Sequence, residues 1–109
     1  MAGTHDDAML VVELAKWGTM LGLYEGPGLF ADDFDPETAE AGDEVVRKTL
    51  IFHETMGTLV KNGLLNRELV LDWLYVPGIW ERVRPAALKA REQSGVPRMF
   101  ENFEALAVE

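Results

Sequence analysis

The pair His53-Glu54 is the part of the sequence that most resembles a catalytic or metal-binding motif. A zinc hydrolase of the His-Glu-x-x-His type needs a second histidine four residues after the first, so that both rings bind one ion. Position 57 is Gly57, and the only other histidine is His5, near the N-terminus. The two Glu-x-x-His pairs of a di-iron bundle are therefore missing as well. We expect no metal here, and we expect His53 to be a hydrogen-bonded residue of the core.

An acidic run between residues 32 and 44 could in principle bind calcium. Four of its members fall at positions one, three, five and twelve of a calcium loop: Asp33, Asp35, Glu37 and Glu44. The glycine that such a loop requires at its centre is replaced by Thr38. Pro36 and the apolar helix predicted after it explain the same acids as charges at the start of a helix. The sequence therefore favours a helix start over a calcium site.

Nucleophilic and phosphate-binding motifs are also missing. The chain has no cysteine, and Ser94, its one serine, lies outside any nucleophile-elbow sequence. Gly26 and Gly28 are too few for a phosphate-binding loop, and no helix directly follows them. We expect that the protein is not an enzyme and uses no cofactor.

Length, composition and charge place these residues in one small acidic domain. The 109 residues predict a single domain over 1–109, and the absence of cysteine predicts a reducing, cytoplasmic location. The segment Met1 to Asp7 is acidic where a signal peptide is basic, and no apolar run approaches the roughly 20 residues of a membrane span. Within the net charge of -9, residues 1–46 contribute -10 and residues 47–98 contribute +4. We expect no nucleic-acid role, and we expect the basic residues to face solvent or to match the acidic half.

The hydrophobic periodicity predicts helices only. One helix is predicted from Asp7 to about Leu23, followed by a longer loop over about 24–35. A second is predicted to begin at Asp35-Pro36 and to end at Lys61 or Asn62, with Gly63 after it. Two adjacent apolar rows between residues 45 and 60 make this helix a rod buried on two sides.

Three shorter helices follow. Asn66 is the predicted N-cap of the third, and the fourth is predicted from about Ile79 to Gln93, kinked or broken at Pro85. A last short helix contains Phe103. The fold class is therefore all-α, a compact bundle of about five helices with short connections and one longer loop.

Part of this pattern resembles a known family. The residues concerned are Trp80, Pro85 and Arg91, the run from Val96 to Glu104, and Phe52-His53-Glu54 with Gly63-Leu64-Leu65. From about residue 45 to the end, the chain resembles a family of small all-helical bacterial proteins known only as a domain of unknown function. Several members resemble membrane-tethered proteins with an N-terminal span, which this sequence lacks. The resemblance implies no catalytic residue.

The first functional hypothesis is a non-catalytic protein-interaction domain that self-associates or serves as a small accessory subunit. On the fourth helix, Trp80, Arg84 and Arg91 share one face, and the predicted core face lies beside it. Tryptophan and arginine are enriched at interface hot spots, so this face is a candidate partner surface, with Trp73 and Phe30 as further anchors. The alternative is that Trp80 covers the core and the arginines pair within the chain.

The second hypothesis is a small-ligand-binding module. The loop that contains Tyr24 and Phe34 is longer than most connections in a compact domain, so it could close over an apolar pocket near His53. Both hypotheses predict that no nucleic acid binds and that no helix spans a membrane.

Overall fold

The computed structural model describes residues 4–108, which form five helices and no strand. The helices are α1 (His5–Met20), α2 (Glu44–Lys61), α3 (Arg67–Trp73), α4 (Val76–Ser94) and α5 (Glu101–Val108), with a 3-10 turn at Gly28–Phe30. The prediction of an all-α bundle is confirmed. The prediction of one domain over 1–109 includes residues 1–3 and 109, which lie outside the described residues, and it stays a prediction. No helix in the described part of the chain is long and apolar enough to span a membrane.

Helix α1 begins two residues earlier than predicted because Thr4 caps it. The Thr4 hydroxyl accepts a hydrogen bond from the Asp7 backbone, and the Asp7 carboxylate accepts one from the Thr4 backbone. These two bonds satisfy donors that a helix start otherwise leaves unpaired. The same carboxylate accepts a bond from the backbone N–H of Asn66, 2.9 Å away, which joins the start of α1 to the start of α3.

The predicted start of α2 at Asp35-Pro36 is wrong: the helix begins at Glu44. Asp35 does bond to the Glu37 backbone N–H, as an N-cap residue would, but only one turn forms. A second turn then redirects the chain, because the Asp43 carboxylate accepts a bond from the Glu40 N–H. The long connection therefore covers residues 21–43 instead of 24–35.

The rest of α2 is the buried rod that the two apolar rows predict. It ends at Lys61, and Gly63 follows with a φ of 73°, a left-handed conformation that suits glycine. Seven residues along its length are buried: Val46, Thr49, Leu50, Phe52, His53, Met56 and Gly57. They face α4, α5 and the long connection, so α2 contributes to most of the core.

Helices α3 and α4 follow with almost no loop between them. Asn66 is the N-cap of α3, as predicted, and accepts a bond from the Leu69 backbone. The fourth helix, predicted from about Ile79, begins three residues earlier, at Val76. Proline is compatible with the first turn of a helix, where its missing N–H has no partner to lose, and Pro77 lies there. The helix is not broken at Pro85 and continues to Ser94.

Helices α2 and α5 make the most extensive contact between two elements of the fold. Gly57 of α2 lies against the backbone of Asn102, and a side-chain carbon built on Gly57 would overlap that backbone. One turn earlier, the Glu54 carboxylate accepts a bond from the Phe103 backbone N–H at 2.9 Å. Glu54 thus supplies the N-terminal cap of α5 from a neighbouring helix. The sequence His53-Glu54-x-x-Gly57 is therefore a helix-docking motif.

We predict that Gly57→Ala destabilises the protein. Alanine is the better helix former by about 1 kcal/mol, but its methyl group would push α5 away, at a cost of about 1–3 kcal/mol for overpacking. Chemical denaturation monitored by circular dichroism measures the change in the free energy of unfolding.

Gly42→Ala is the matched control. No atom lies within 4 Å of a side-chain carbon built at position 42, so this variant should unfold at nearly the wild-type denaturant concentration. Equal stability of the two variants would contradict the close approach of α2 and α5.

Candidate ligand cavity beside His53

A cavity of about 150 Å³ lies under the first part of the long connection. Its floor comes from α2, one wall from Leu74, directly after α3, and Ile79, in the first turn of α4, and its roof from the chain around the 3-10 turn. Most of the lining is apolar: Leu23, Tyr24, Pro27, Gly28, Leu29, Phe30, Val45, Thr49, Phe52, His53, Leu74 and Ile79. An apolar pocket with one or two polar groups is the usual form of a small-molecule site.

His53 and Thr49 are the buried polar residues that line this cavity, and His53 is the larger. Only 4 % of the residue is exposed, and its ring stacks on Phe103 at 4.7 Å between centroids. Nδ1 lies 2.8 Å from the carbonyl oxygen of Thr49, one turn earlier in α2. Nε2 is buried and has no hydrogen-bond partner among the described residues. Burial lowers the pKa of His53 to about 4, and the bond to Thr49 opposes this shift only in part. The ring is therefore neutral near pH 7.

The roof rests on a close contact with α1. Gly18 of α1 is buried, and a side-chain carbon built there would lie 2.9 Å from the Tyr24 hydroxyl and 3.2 Å from the Phe52 ring. The small residue at position 18 thus leaves room for two rings beside the cavity. Tyr24 is half exposed, and partial burial raises the pKa of its phenol, which stays protonated at neutral pH.

Arg82 of α4 holds the roof in place. Its Nε donates to the Leu29 carbonyl at 2.8 Å, and a terminal nitrogen lies 3.4 Å from the Phe34 carbonyl. The guanidinium also lies over the Phe30 and Phe34 rings, 5.6 Å and 5.2 Å from their centroids. Both contacts use the flat, multiply donating guanidinium, which lysine cannot imitate.

Lys89 continues this contact two turns further along α4. Its Nζ donates to the Glu37 carbonyl at 2.8 Å and the Ala39 carbonyl at 3.2 Å, and lies 3.6 Å from the Glu40 carboxylate. The basic middle of the chain therefore binds the acidic connection through Arg82 and Lys89, which confirms the intramolecular alternative for these two residues.

The structure places two of the three predicted ligand-binding residues at the cavity. His53 and Tyr24 line it, whereas Phe34 does not and packs against Arg82 instead. Thr49 was not among the predicted ligand-binding residues, although it lies one helical turn before His53 and its hydroxyl could have suggested a polar neighbour. Arg82 was not among them either, because nothing in the sequence relates it to Leu29, 53 residues away.

The predicted partner surface on α4 does not exist as a single patch. Trp80 is 1 % exposed and its ring lies against Phe103, so the expectation that it reaches the surface is wrong. Both faces of α4 are buried, since Ala87 on the Trp80 face and Val83 on the other are fully enclosed. Arg91 is engaged within the chain, donating to the Met99 carbonyl at 2.7 Å and to Glu104 at 2.9 Å.

The remaining partner candidates lie apart from one another. Arg84 is exposed on α4. Trp73 is half-buried, with its ring 6.3 Å from that of Phe52. Phe30 is 53 % exposed, and its ring lies under Arg82 at the roof of the cavity. No contact among the described residues joins these three side chains into one surface.

A wider cleft of about 470 Å³ lies between α2 and α5, and Lys61, Arg67 and Arg98 line it. Two of its cations are already paired: Arg98 with Glu101 at 2.8 Å and Arg67 with the Leu106 carbonyl at 3.2 Å. Within residues 4–108, no group of three or more histidine or acidic side chains is arranged to hold a metal ion. The cavity beside His53 is therefore the stronger candidate site.

We predict that His53 makes the fold sensitive to acid. Below pH 6.5 the unfolded chain protonates this ring, while the folded chain resists protonation until about pH 4. The unfolded state thus binds more protons in this range, and stability falls as the pH falls. From pH 7 to pH 4, wild type should lose roughly 3 kcal/mol more of its unfolding free energy than His53→Gln. Denaturation curves at several pH values measure this difference. An equal loss of unfolding free energy in the two proteins would contradict the prediction.

The comparisons with known proteins concern the family and not the activity. The model of a family described as Domain of unknown function (DUF4760) matches residues 21–109, which include the cavity and α2 to α5. Helix α1 lies outside the matched segment. No curated protein and no solved structure matches the chain. Because the match covers most of the sequence and agrees with the family resemblance noted from its motifs, the protein belongs to the DUF4760 family.

Proposed function

We propose that the protein is a non-catalytic module that binds a small apolar ligand in the cavity beside His53. The observation that carries the proposal is a mostly apolar cavity of about 150 Å³ whose lining includes the buried polar residues Thr49 and His53. An apolar pocket with a few polar groups is the usual form of a small-molecule site.

The residues that line the cavity favour ligand binding over catalysis. General acid–base chemistry needs two groups that exchange protons near the working pH, and a catalytic histidine usually has an orienting carboxylate. No carboxylate is among the lining residues. The low pKa of His53 and the raised pKa of Tyr24 keep both groups neutral, so neither exchanges protons readily at pH 7. In this proposal the protein works in the cytoplasm, as its sequence led us to expect.

A ligand that binds only the folded state should raise the melting temperature. At ten times its Kd a ligand stabilises the fold by about 1.4 kcal/mol, which corresponds to several degrees for a domain of this size. We expect such a rise with at least one of toluene, phenol, indole and 1-hexanol, measured by differential scanning fluorimetry and confirmed by NMR titration. Val45→Phe, which places a ring in the cavity wall, should abolish the rise.

Val12→Phe is the matched control, because Val12 is half exposed on α1 and does not line the cavity. This variant should respond like wild type. Failure of all four compounds to bind wild type, or an undiminished response in Val45→Phe, would refute the proposal.

A second candidate function is interaction with a protein, through the outer face of α1. Three apolar residues on this helix are half exposed or more: Met9 (53 %), Val12 (50 %) and Met20 (83 %). Their spacings of three and eight place them along one side of the helix. Exposed methionines adapt to partners of different shape, so this face is suited to self-association or to docking on a larger assembly.

We predict that self-association, if it uses this face, is lost in Met9→Glu/Met20→Glu. Size-exclusion chromatography with light scattering at high micromolar concentration should give a dimer or larger for wild type and a monomer for the variant. Leu64→Glu/Val96→Glu, which adds the same charge at two exposed apolar residues outside α1, should keep the wild-type mass. A monomeric wild type would rule out self-association and leave only a different protein as the partner.

A further inference from the structure

The cleft between α2 and α5 differs from the cavity beside His53 in its charge. Its volume of about 470 Å³ lies within the range of roughly 300–1,000 Å³ that is usual for small-molecule sites. Three cationic residues line it, Lys61, Arg67 and Arg98, together with one acidic residue, Glu101. The lining therefore carries a net charge of +2, in a chain whose net charge is -9. This cleft attracts anions, whereas the protein as a whole repels them.

Lys61 and Arg67 carry charges that no acidic group compensates directly. Within residues 4–108, the exposed Lys61 ammonium makes no hydrogen bond or ion pair. Arg67 is partly exposed and donates through one terminal nitrogen to the Leu106 carbonyl, 3.2 Å away. A carbonyl is neutral and a guanidinium has five N–H donors, so the charge of Arg67 and most of its donors remain available to a ligand.

Arg98 already binds a carboxylate at this cleft. Its Nε and one terminal nitrogen donate to the Glu101 carboxylate at 3.1 Å and 2.8 Å, the two-pronged geometry in which a guanidinium binds carboxylates and phosphates. The Arg98 side chain is 75 % exposed and that of Glu101 is 35 % exposed. Ion pairs this exposed contribute little to stability, so an incoming anion can replace Glu101 at small cost.

The charges of Lys61 and Arg98 act on the same place. The hydrogen bond from Arg98 lowers the pKa of the Glu101 carboxyl, and the charges of Arg98 and Lys61 add to this effect. Lys61 belongs to α2, whereas Arg98 lies in the turn before α5. An anion at the position of Glu101 is therefore stabilised from both sides of the cleft.

The rest of the lining sets the other half of the ligand. Val60, Ala105 and Leu106 contribute apolar surface, and Gly57 adds no side chain. A bare inorganic ion would leave this surface without a partner and would fill only part of the volume. A ligand that has both a charged group and a small apolar body matches the whole cleft.

We propose that the cleft between α2 and α5 binds a small organic dianion of the phosphate monoester class. A phosphate monoester carries close to two negative charges near pH 7, which match the net charge of the lining, and its three terminal oxygens can accept from several cations at once. In the complex the phosphate takes the place of Glu101 on Arg98, Lys61 and Arg67 supply further donors, and the organic part packs against Val60 and Leu106.

Phenyl phosphate is the probe, and calorimetric titration in low salt gives its Kd. Lys61→Gln should raise this Kd by about fivefold, the size of one charge contact at an exposed site. Glu101→Gln should lower it by about the same factor, because it removes a competing carboxylate and releases Arg98. An unfolded variant cannot bind more tightly, so this second change also guards against misfolding. Inorganic phosphate should bind wild type more weakly than phenyl phosphate.

Lys16→Gln and Glu13→Gln are the matched controls, since they change the net charge equally on the exposed surface of α1, away from the cleft. Both should keep the wild-type Kd. The proposal is wrong if phenyl phosphate does not bind wild type, if Lys61→Gln and Lys16→Gln have the same Kd, or if Glu101→Gln binds no better than Glu13→Gln. Equal Kd values for the two phosphates would contradict an organic ligand.

Val45→Phe separates this proposal from the proposed function. Val45 lines the cavity beside His53 and not the cleft, so the variant should bind phenyl phosphate as wild type does. Loss of binding in Val45→Phe would place the probe in the cavity and refute the cleft site. If the neutral compounds bind wild type and phenyl phosphate does not, only the cleft proposal is wrong; the reverse result would refute only the proposed function.

Discussion

The contact between α2 and α5 is the constraint on which the rest of the structure depends. Gly57 lets the two helices approach until the Asn102 backbone fills the space of a side chain. One turn away, Glu54 completes the hydrogen bonding at the start of α5. Because α5 is only eight residues long, it has little stability of its own, and its position comes from these contacts. With α5 in place, the Phe103 ring lies over the His53 ring and against Trp80.

The same contact explains the chemical state of His53. Phe103 on one side and Phe52 on the other remove the imidazole from water, and Thr49 fixes the proton on Nδ1. These neighbours keep the ring neutral near pH 7. The roof adds the second half of the site, because Arg82 and Lys89 hold an irregular connection that has few backbone bonds of its own. The proposed site therefore depends on two packing contacts: that of α5 with α2, and that of the long connection with α4.

The sequence was sufficient for the all-α class and for the ends of several elements. Gly63 and Asn66 carry local signals, a left-handed glycine and a capping side chain, which depend on few distant contacts. The sequence was insufficient wherever a contact between residues far apart in the chain determines the local structure. Asp35 has the correct residue type for an N-cap, yet the N-cap of α2 is Asp43, eight residues later, after a turn that the Asp43 carboxylate closes. Trp80 has an amphipathic position, and only the placement of α5 buries it. His53 was correctly expected in the core. Its unpaired nitrogen and the cavity beside it could not be predicted, because both result from the packing of residues that are distant in the sequence.

The most direct test is a ¹⁵N NMR titration of the imidazole rings in the protein without ligand, from pH 8 to pH 4. We expect His53 to be neutral across most of this range, with its proton on Nδ1 and a bare Nε2, and to titrate only near the acid end. An imidazolium at pH 7, or a proton on Nε2, would contradict the account, because the burial of the ring and its bond to the Thr49 carbonyl require a neutral ring with its proton on Nδ1.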